Sequence, residues 1–281
     1  MPEFRSSDNL RLWYEDTLEQ GGGEGDGPPI LCLSGLTRNS TDFDYVLPYL
    51  AGENRVIRLD YRGRGKSQRA PDWKTYTIPT EARDVLELLA HLGLEQVGVL
   101  GTSRGGLIAM SLALMAKSKL AGVCLVDIGP ELAPDGLEAI ASYLGKPPAA
   151  STYDEAVAMR ATLMAGFERV PESRWREEVE KHYRETPDGL AINYDAKLRD
   201  AVLEAGAQPM PDLWPLFDAM QGLPLALIRG ANSDLLSPET AVEMRRRRPD
   251  MIFADVPGRG HVPFLDEPEA LEALNEWTML L

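Results

Sequence analysis

The chain has 281 residues, 44% hydrophobic and 26% charged, enough apolar material for a sizeable core and too much for a disordered polymer. With 44 acidic against 29 basic residues the formal charge is −15, a field that repels phosphate backbones and anionic lipid, so no nucleic-acid partner and no membrane docking are expected. No stretch approaches the ~18 consecutive apolar residues of a membrane span.

The first segment, MPEFRSSDNL, carries no basic-then-apolar signal pattern. Cys32 and Cys124 each lie inside an apolar run, which suits buried thiols of a reducing compartment better than a disulfide framework, so a cytoplasmic protein is expected. LRLWYEDTLE (10–19) alternates apolar and polar residues, as a half-buried strand does, and the Gly- and Pro-rich stretch 21–29 after it reads as a turn. Short continuous apolar runs follow at 30–33, 55–60, 96–101, 121–127, 224–230 and 251–256. Such runs predict strands of a parallel sheet covered on both faces.

Helical patterns separate them. In IPTEARDVLELLAHLG the apolar Ala82, Val85, Leu86, Leu89 and Leu92 recur at spacings of three and four, with Thr80 as the expected N-cap. The window 105–118 is almost uniformly apolar, as a helix packed inside a domain is. Ser237-Pro238 and Glu267-Pro268 open the last two helices, and the arginine run 245–248 reads as a solvated helix face. From 130 to 222 no strand is expected, only helical windows and scattered prolines, so this stretch reads as a helical insert leaning on one α/β domain.

The strand VGVLG runs straight into Gly101-Thr102-Ser103-Arg104-Gly105 and then into the apolar helix. A Gly-x-Ser-x-Gly pentapeptide in that context predicts a sharp strand-to-helix turn that exposes Ser103 Oγ at the carboxyl edge of the sheet. A serine hydroxyl needs a base. Of the three histidines, His91 falls in a helix and His182 in the insert, whereas His261 follows the final strand and so shares the serine's edge. Two carboxylates follow strands at that edge and compete to orient the imidazole: Asp234, which is favoured, and Asp127, otherwise a residue at the hinge of the insert or behind the imidazole. A developing oxyanion needs two donors, expected from the backbone N–H groups of Arg104 and Leu36; losing one such donor costs about 3–4 kcal/mol of transition-state stabilisation. GRGKS (63–67) is not a phosphate loop, because the glycine needed five residues before Gly65 is Asp60, and 98–106 fails the dinucleotide spacing.

The stretches ILCLSGLTRNSTDF, RVIRLDYRGRGKS, VGVLGTSRGG, LIRGANSDLLSPE and GRGHVPFLDEP span almost the whole chain, and in that order they resemble the α/β-hydrolase superfamily, serine-nucleophile branch. The resemblance implies a mostly parallel eight-stranded sheet with helices on both faces, a core of residues 1–129 and 223–281, and a helical cap at 130–222. It also implies the chain order nucleophile, acid, base, met by Ser103, Asp234 and His261. One departure is Ser34, where family members commonly carry histidine before the glycine of the oxyanion loop.

The expected activity is hydrolysis of a carboxylic ester or lactone through an acyl-enzyme, with no cofactor and no metal, on a small-molecule substrate; a homodimer is left open. The alternatives are a carbon–carbon bond hydrolase of ring-cleavage diketones and a non-catalytic small-molecule receptor on the same scaffold. The pocket is expected to draw on Arg38, Trp175, Tyr183 and Trp214, although most cap aromatics pack against the core and solvated surface arginines are the plainer reading of Arg38 and Arg104.

Overall fold

The computed structural model describes residues 2–21, 27–164 and 166–281. The glycine-rich turn expected at 21–29 therefore lies, from 22 to 26, outside the described residues. The strands are β1 Glu3–Arg5, β2 Arg11–Asp16, β3 Ile30–Leu33, β4 Val56–Leu59, β5 Val97–Thr102, β6 Leu120–Val126, β7 Tyr183–Thr186, β8 Gly189–Ile192, β9 Leu225–Gly230 and β10 Ile252–Val256. The helices are α1 Leu47–Leu50, α2 Ile78–His91, α3 Arg104–Met115, α4 Pro134–Tyr143, α5 Tyr153–Leu163, α6 Glu172–His182, α7 Leu198–Gly206, α8 Trp214–Asp218, α9 Pro238–Arg247 and α10 Pro268–Thr278.

Eight strands form one sheet in the order β1-β2-β4-β3-β5-β6-β9-β10. The pairs from β4 to β10 are parallel, and β1 and β2 add antiparallel at one edge. Every residue of β3, β4, β5 and β9 is buried, the burial expected of strands with helices on both faces. One core face joins these strands to α2 and α3 through Val85, Leu88, Ile108 and Leu112, and the other packs Leu274 and Trp277 of α10 against Cys32, Leu100 and Cys124. Both cysteines are buried and free, and burial pushes the Cys32 thiol up to about 12. Among the described residues no helix is long and apolar enough to cross a membrane.

The chain order reverses direction between β3 and β5. β3 is followed by its neighbour β4 on one side, and β5 by β6 on the other. The loops after β3 and β5 therefore diverge and open a crevice at the carboxyl edge, where open α/β sheets take their ligands.

Three sequence expectations change. Thr77, not Thr80, caps α2, because its side chain accepts from the Thr80 N–H. The stretch 130–222 is not purely helical: β7 and β8 pair antiparallel as a hairpin, and Arg64 bridges Tyr194 just beyond it. The run 245–248 is not all solvated; Arg248 is buried, and its guanidinium donates to the Met220 and Leu223 carbonyls at 2.8 and 2.7 Å.

The glycine-rich loop after β4 holds the chain just past β8 against the sheet. Asp195 N–H donates to the Gly63 carbonyl, Gly65 N–H to the Asn193 carbonyl, and the Tyr76 hydroxyl to Asp195 Oδ2 at 2.6 Å. The carboxylate of Asp60, which occupies the first-glycine position of a phosphate loop, instead accepts from the Ser40 and Lys66 amides and holds the loop shut.

Candidate active site

Ser103 sits between the last residue of β5 and the first of α3 with φ 50° and ψ −113°, a backbone region that side chains other than glycine rarely adopt. The neighbours make that turn possible. A Cβ on Gly101 would fall 2.7 Å from the Gly105 carbonyl oxygen, and one on Gly105 would fall 2.0 Å from the Leu33 carbonyl oxygen. The Ser103 N–H is tied to the Val126 carbonyl, which anchors the turn to β6. Ser103 is almost wholly covered, and it stands at the N-terminus of α3, the positive end of that helix dipole.

His261 Nε2 lies 3.1 Å from Ser103 Oγ, and His261 Nδ1 lies 2.6 Å from Asp127 Oδ2. The carboxylate that meets the imidazole is thus Asp127, directly after β6, and the expectation for Asp234 is corrected. Asp127 is fully buried, with φ 50°. Its Oδ1 accepts from the Gly230 N–H at 2.8 Å, and its Oδ2 also accepts from the Ser233 hydroxyl at 2.6 Å. The Ser233 oxygen in turn accepts from the amides of Leu235 and Leu236. Asp234 is exposed on that same turn, and among the described residues its side chain has neither a hydrogen bond nor an ion pair. A buried carboxylate with three donors is fixed in place; an exposed one on a turn is not.

The loop after β3 comes up beside the serine, since a Cβ built on Gly35 would lie 3.8 Å from Ser103 Cβ. Among the described residues the Leu36 and Arg104 backbone N–H groups donate to no protein acceptor, so both remain available to an oxyanion. The Ser34 hydroxyl, at the position of the usual histidine, is fully buried with no hydrogen-bond partner among the described residues.

Behind this loop runs a buried ion network that sequence reasoning missed. Arg64 Nε donates to the Leu36 carbonyl at 3.0 Å, and Arg64 Nη1 pairs with Glu81 Oε1 at 2.7 Å. The other Glu81 oxygen takes Arg104 Nε at 2.6 Å. One carboxylate on α2 therefore holds Arg104 directly and, through Arg64, the Leu36 carbonyl. Burial alone would push the Glu81 carboxyl up, but Arg104 and Arg64 outweigh it and hold it below its ordinary value. The signal was present at spacing three in α2, where Glu81 and Asp84 interrupt the apolar face.

The remaining sequence candidates divide. Arg104 is engaged with Glu81 and the Tyr76 carbonyl, not solvated. Arg38, also not solvated, pairs with Asp42 at 3.2 Å and Glu178 at 3.3 Å and lies against the His182 ring. Trp175 of α6 is buried between Phe167 and Phe264, and Tyr183 opens β7 with its carbonyl accepting from the Tyr153 hydroxyl. Trp214 belongs elsewhere: its Nε1 donates to Glu131, and its ring packs on Phe217 and beneath Arg247. His91 stacks on Phe4 at the far end of α2, whereas His182 is buried on the inner face of α6.

The model of the alpha/beta hydrolase fold family matches residues 28–268. The chain is an α/β-hydrolase. A 3-hydroxybutyrate-oligomer hydrolase of Cupriavidus necator is 40% identical to this hydrolase over 248 residues, covering 85% of this chain and 84% of the relative. A crystal structure of an α/β hydrolase from Novosphingobium aromaticivorans superimposes with a TM-score of 0.90 at 37% identity, covering 99% of this hydrolase and 97% of that chain. A 2-(acetamidomethylene)succinate hydrolase of Mesorhizobium japonicum is 24% identical over 90% of this hydrolase and 89% of the relative.

Proposed function

We propose that this α/β-hydrolase is a serine esterase acting on small hydroxy-acid esters, with Ser103 as nucleophile, His261 as base and Asp127 as the orienting acid. The observation that carries the reading is the unbroken chain from Ser103 Oγ through the two nitrogens of His261 to Asp127 Oδ2, at 3.1 and 2.6 Å. With Nδ1 protonated toward Asp127, Nε2 accepts the serine proton as Oγ attacks the ester carbonyl. The Leu36 and Arg104 amides receive the oxyanion. The imidazolium, stabilised by Asp127, then protonates the leaving alcohol, and water attacks the acyl-enzyme by the same route in reverse.

The stretch 130–222 acts as a cap that covers the serine and sets substrate choice. The substrate class is supported by the relative named for 3-hydroxybutyrate oligomers, which are linear esters of a hydroxy acid. The test is steady-state hydrolysis of p-nitrophenyl butyrate and of the 3-hydroxybutyrate dimer by the wild type and Ser103→Ala. Multiple turnovers that vanish in the variant support the reading. Stoichiometric binding with no turnover in either protein replaces it with the receptor alternative.

A further inference from the structure

The inner face of α6 carries Trp175, Glu178, Val179 and His182, all buried, so two ionisable groups occupy positions where a helix normally presents apolar side chains. Facing it, α5 buries Ala156 and Val157, and Arg160, one turn later, belongs to the same face. From below comes Arg38, whose Cγ would touch a Cβ on Gly35 at 3.2 Å, the glycine that sits beside Ser103. Arg160 shares this cluster: its charge acts on Asp42, Glu178, His182 and Tyr143.

The two guanidinium groups are not equivalent. Arg38 is matched by Asp42 and Glu178, and Glu178 is further held by the Tyr45 hydroxyl at 3.1 Å. The Arg160 side chain has no hydrogen bond and no ion pair among the described residues, and its Nε is shut away from solvent with nothing to donate to. A guanidinium nitrogen withdrawn from water with its hydrogen unmet is costly, and the planar fork fits the two oxygens of a carboxylate. The Asp42 and Glu178 charges beside it oppose a dianion more than a monoanion, which favours a carboxylate over a phosphate.

We propose that Arg160, assisted by Arg38, forms a carboxylate-binding subsite under the cap, which receives the free acid end of the substrate while its ester lies at Ser103. This rests on the ester-hydrolase reading and adds to it that the preferred substrate is an ester carrying an unesterified carboxylate. Binding energy at the acid end then positions the scissile carbonyl at a distance from the reacting atoms.

The test compares the 3-hydroxybutyrate dimer with its methyl ester, in which the acid is masked. Wild type is expected to favour the free acid at least tenfold in kcat/KM, mainly through KM, and Arg160→Leu to bring that ratio close to one. Arg160→Lys, which keeps the charge without the fork, falls between them. As a readout without turnover, calorimetric titration of 3-hydroxybutyrate into Ser103→Ala protein should show binding that weakens at least tenfold when Arg160→Leu is added. An unchanged ratio, or equal affinity in the two proteins, overturns the subsite and leaves the esterase reading standing. Undiminished turnover of both esters by Ser103→Ala defeats the esterase reading, whatever Arg160 does.

Discussion

The carboxylate of Asp127, at the end of β6, accepts the backbone N–H of Gly230, at the end of β9, at 2.8 Å. Two neighbouring parallel strands are joined by this bond at the edge where His261 approaches, and the same carboxylate holds the imidazole through its other oxygen. The strand after which an acid was expected contributes an amide and, through Ser233, a hydroxyl. It supports the carboxylate that meets His261 instead of supplying it.

Asp127→Asn is accordingly expected to lower kcat on p-nitrophenyl butyrate by about 10³–10⁴-fold, because an amide in that position favours the wrong imidazole tautomer. Asp234→Asn should stay within about twofold of wild type, as expected for an exposed turn residue. Comparing the two variants at one pH checks the assignment, and the reverse ranking would return the role to Asp234.

Glu81→Gln leaves Arg64 and Arg104 sharing a neutral amide inside the protein. Removing one partner from such a buried set costs about 3–5 kcal/mol, which should appear as a lower urea midpoint. Because Arg64 also holds the Leu36 carbonyl, kcat should fall as well. Since the Glu81 carboxyl is held below its ordinary value, its stabilising contribution is present above the unfolded-state value near 4.5 and is lost as pH falls through the depressed one. A variant with the wild-type midpoint would show that the network carries no stability.

His182 gives a second pH effect, with the sign set by burial. Burial first, then the charges of Arg38, Arg160 and Lys181, hold its imidazole well below the ordinary value, against the opposing pull of Glu178; Asp42 lies 3.1 Å from Nε2. Below about pH 6.5 the unfolded chain takes up a proton that the folded chain refuses, so stability declines as pH falls from there. Thermal melts of wild type between pH 7.5 and 5 should show that decline. His182→Gln should flatten it, and parallel curves for the two proteins would rule the residue out as its source.

Gly105→Ala tests the turn that presents the serine. The added methyl would meet the Leu33 carbonyl oxygen at 2.0 Å and its carbon at 2.6 Å, backbone atoms of β3 that cannot swing aside. Loss of soluble folded protein, or of all activity, is expected. Gly206→Ala, at the end of α7, has nothing within 4 Å of the new methyl and should be stabilised by up to about 1 kcal/mol. Circular dichroism melts of the pair measure both outcomes.

The linear chain determined a good deal here. Apolar runs and helical periods located the core strands to within a residue or two, since burial on both faces leaves a composition that can be read locally. The pentapeptide at 101–105 marked Ser103 because steric demands on its two glycines are also local. The β7–β8 hairpin is not legible because its strands are four residues long and half-exposed, and β7, Tyr-Arg-Glu-Thr, has no apolar run to pair with the Leu-Ala-Ile of β8.

Tertiary structure alone brings Asp127, and not Asp234, to the imidazole of His261. Both follow strands that end at one edge, and both lie between Ser103 and His261 in the chain, so order and spacing cannot separate them. What separates them is direction: a left-handed backbone at Asp127 and the donors of Gly230 and Ser233 turn one carboxylate inward, while the other faces water. The pairing of Arg64 and Arg104 through Glu81, and the unmatched Arg160, were hidden for the same reason. Charge compensation is a property of distances between segments far apart in the chain, and no local pattern encodes them.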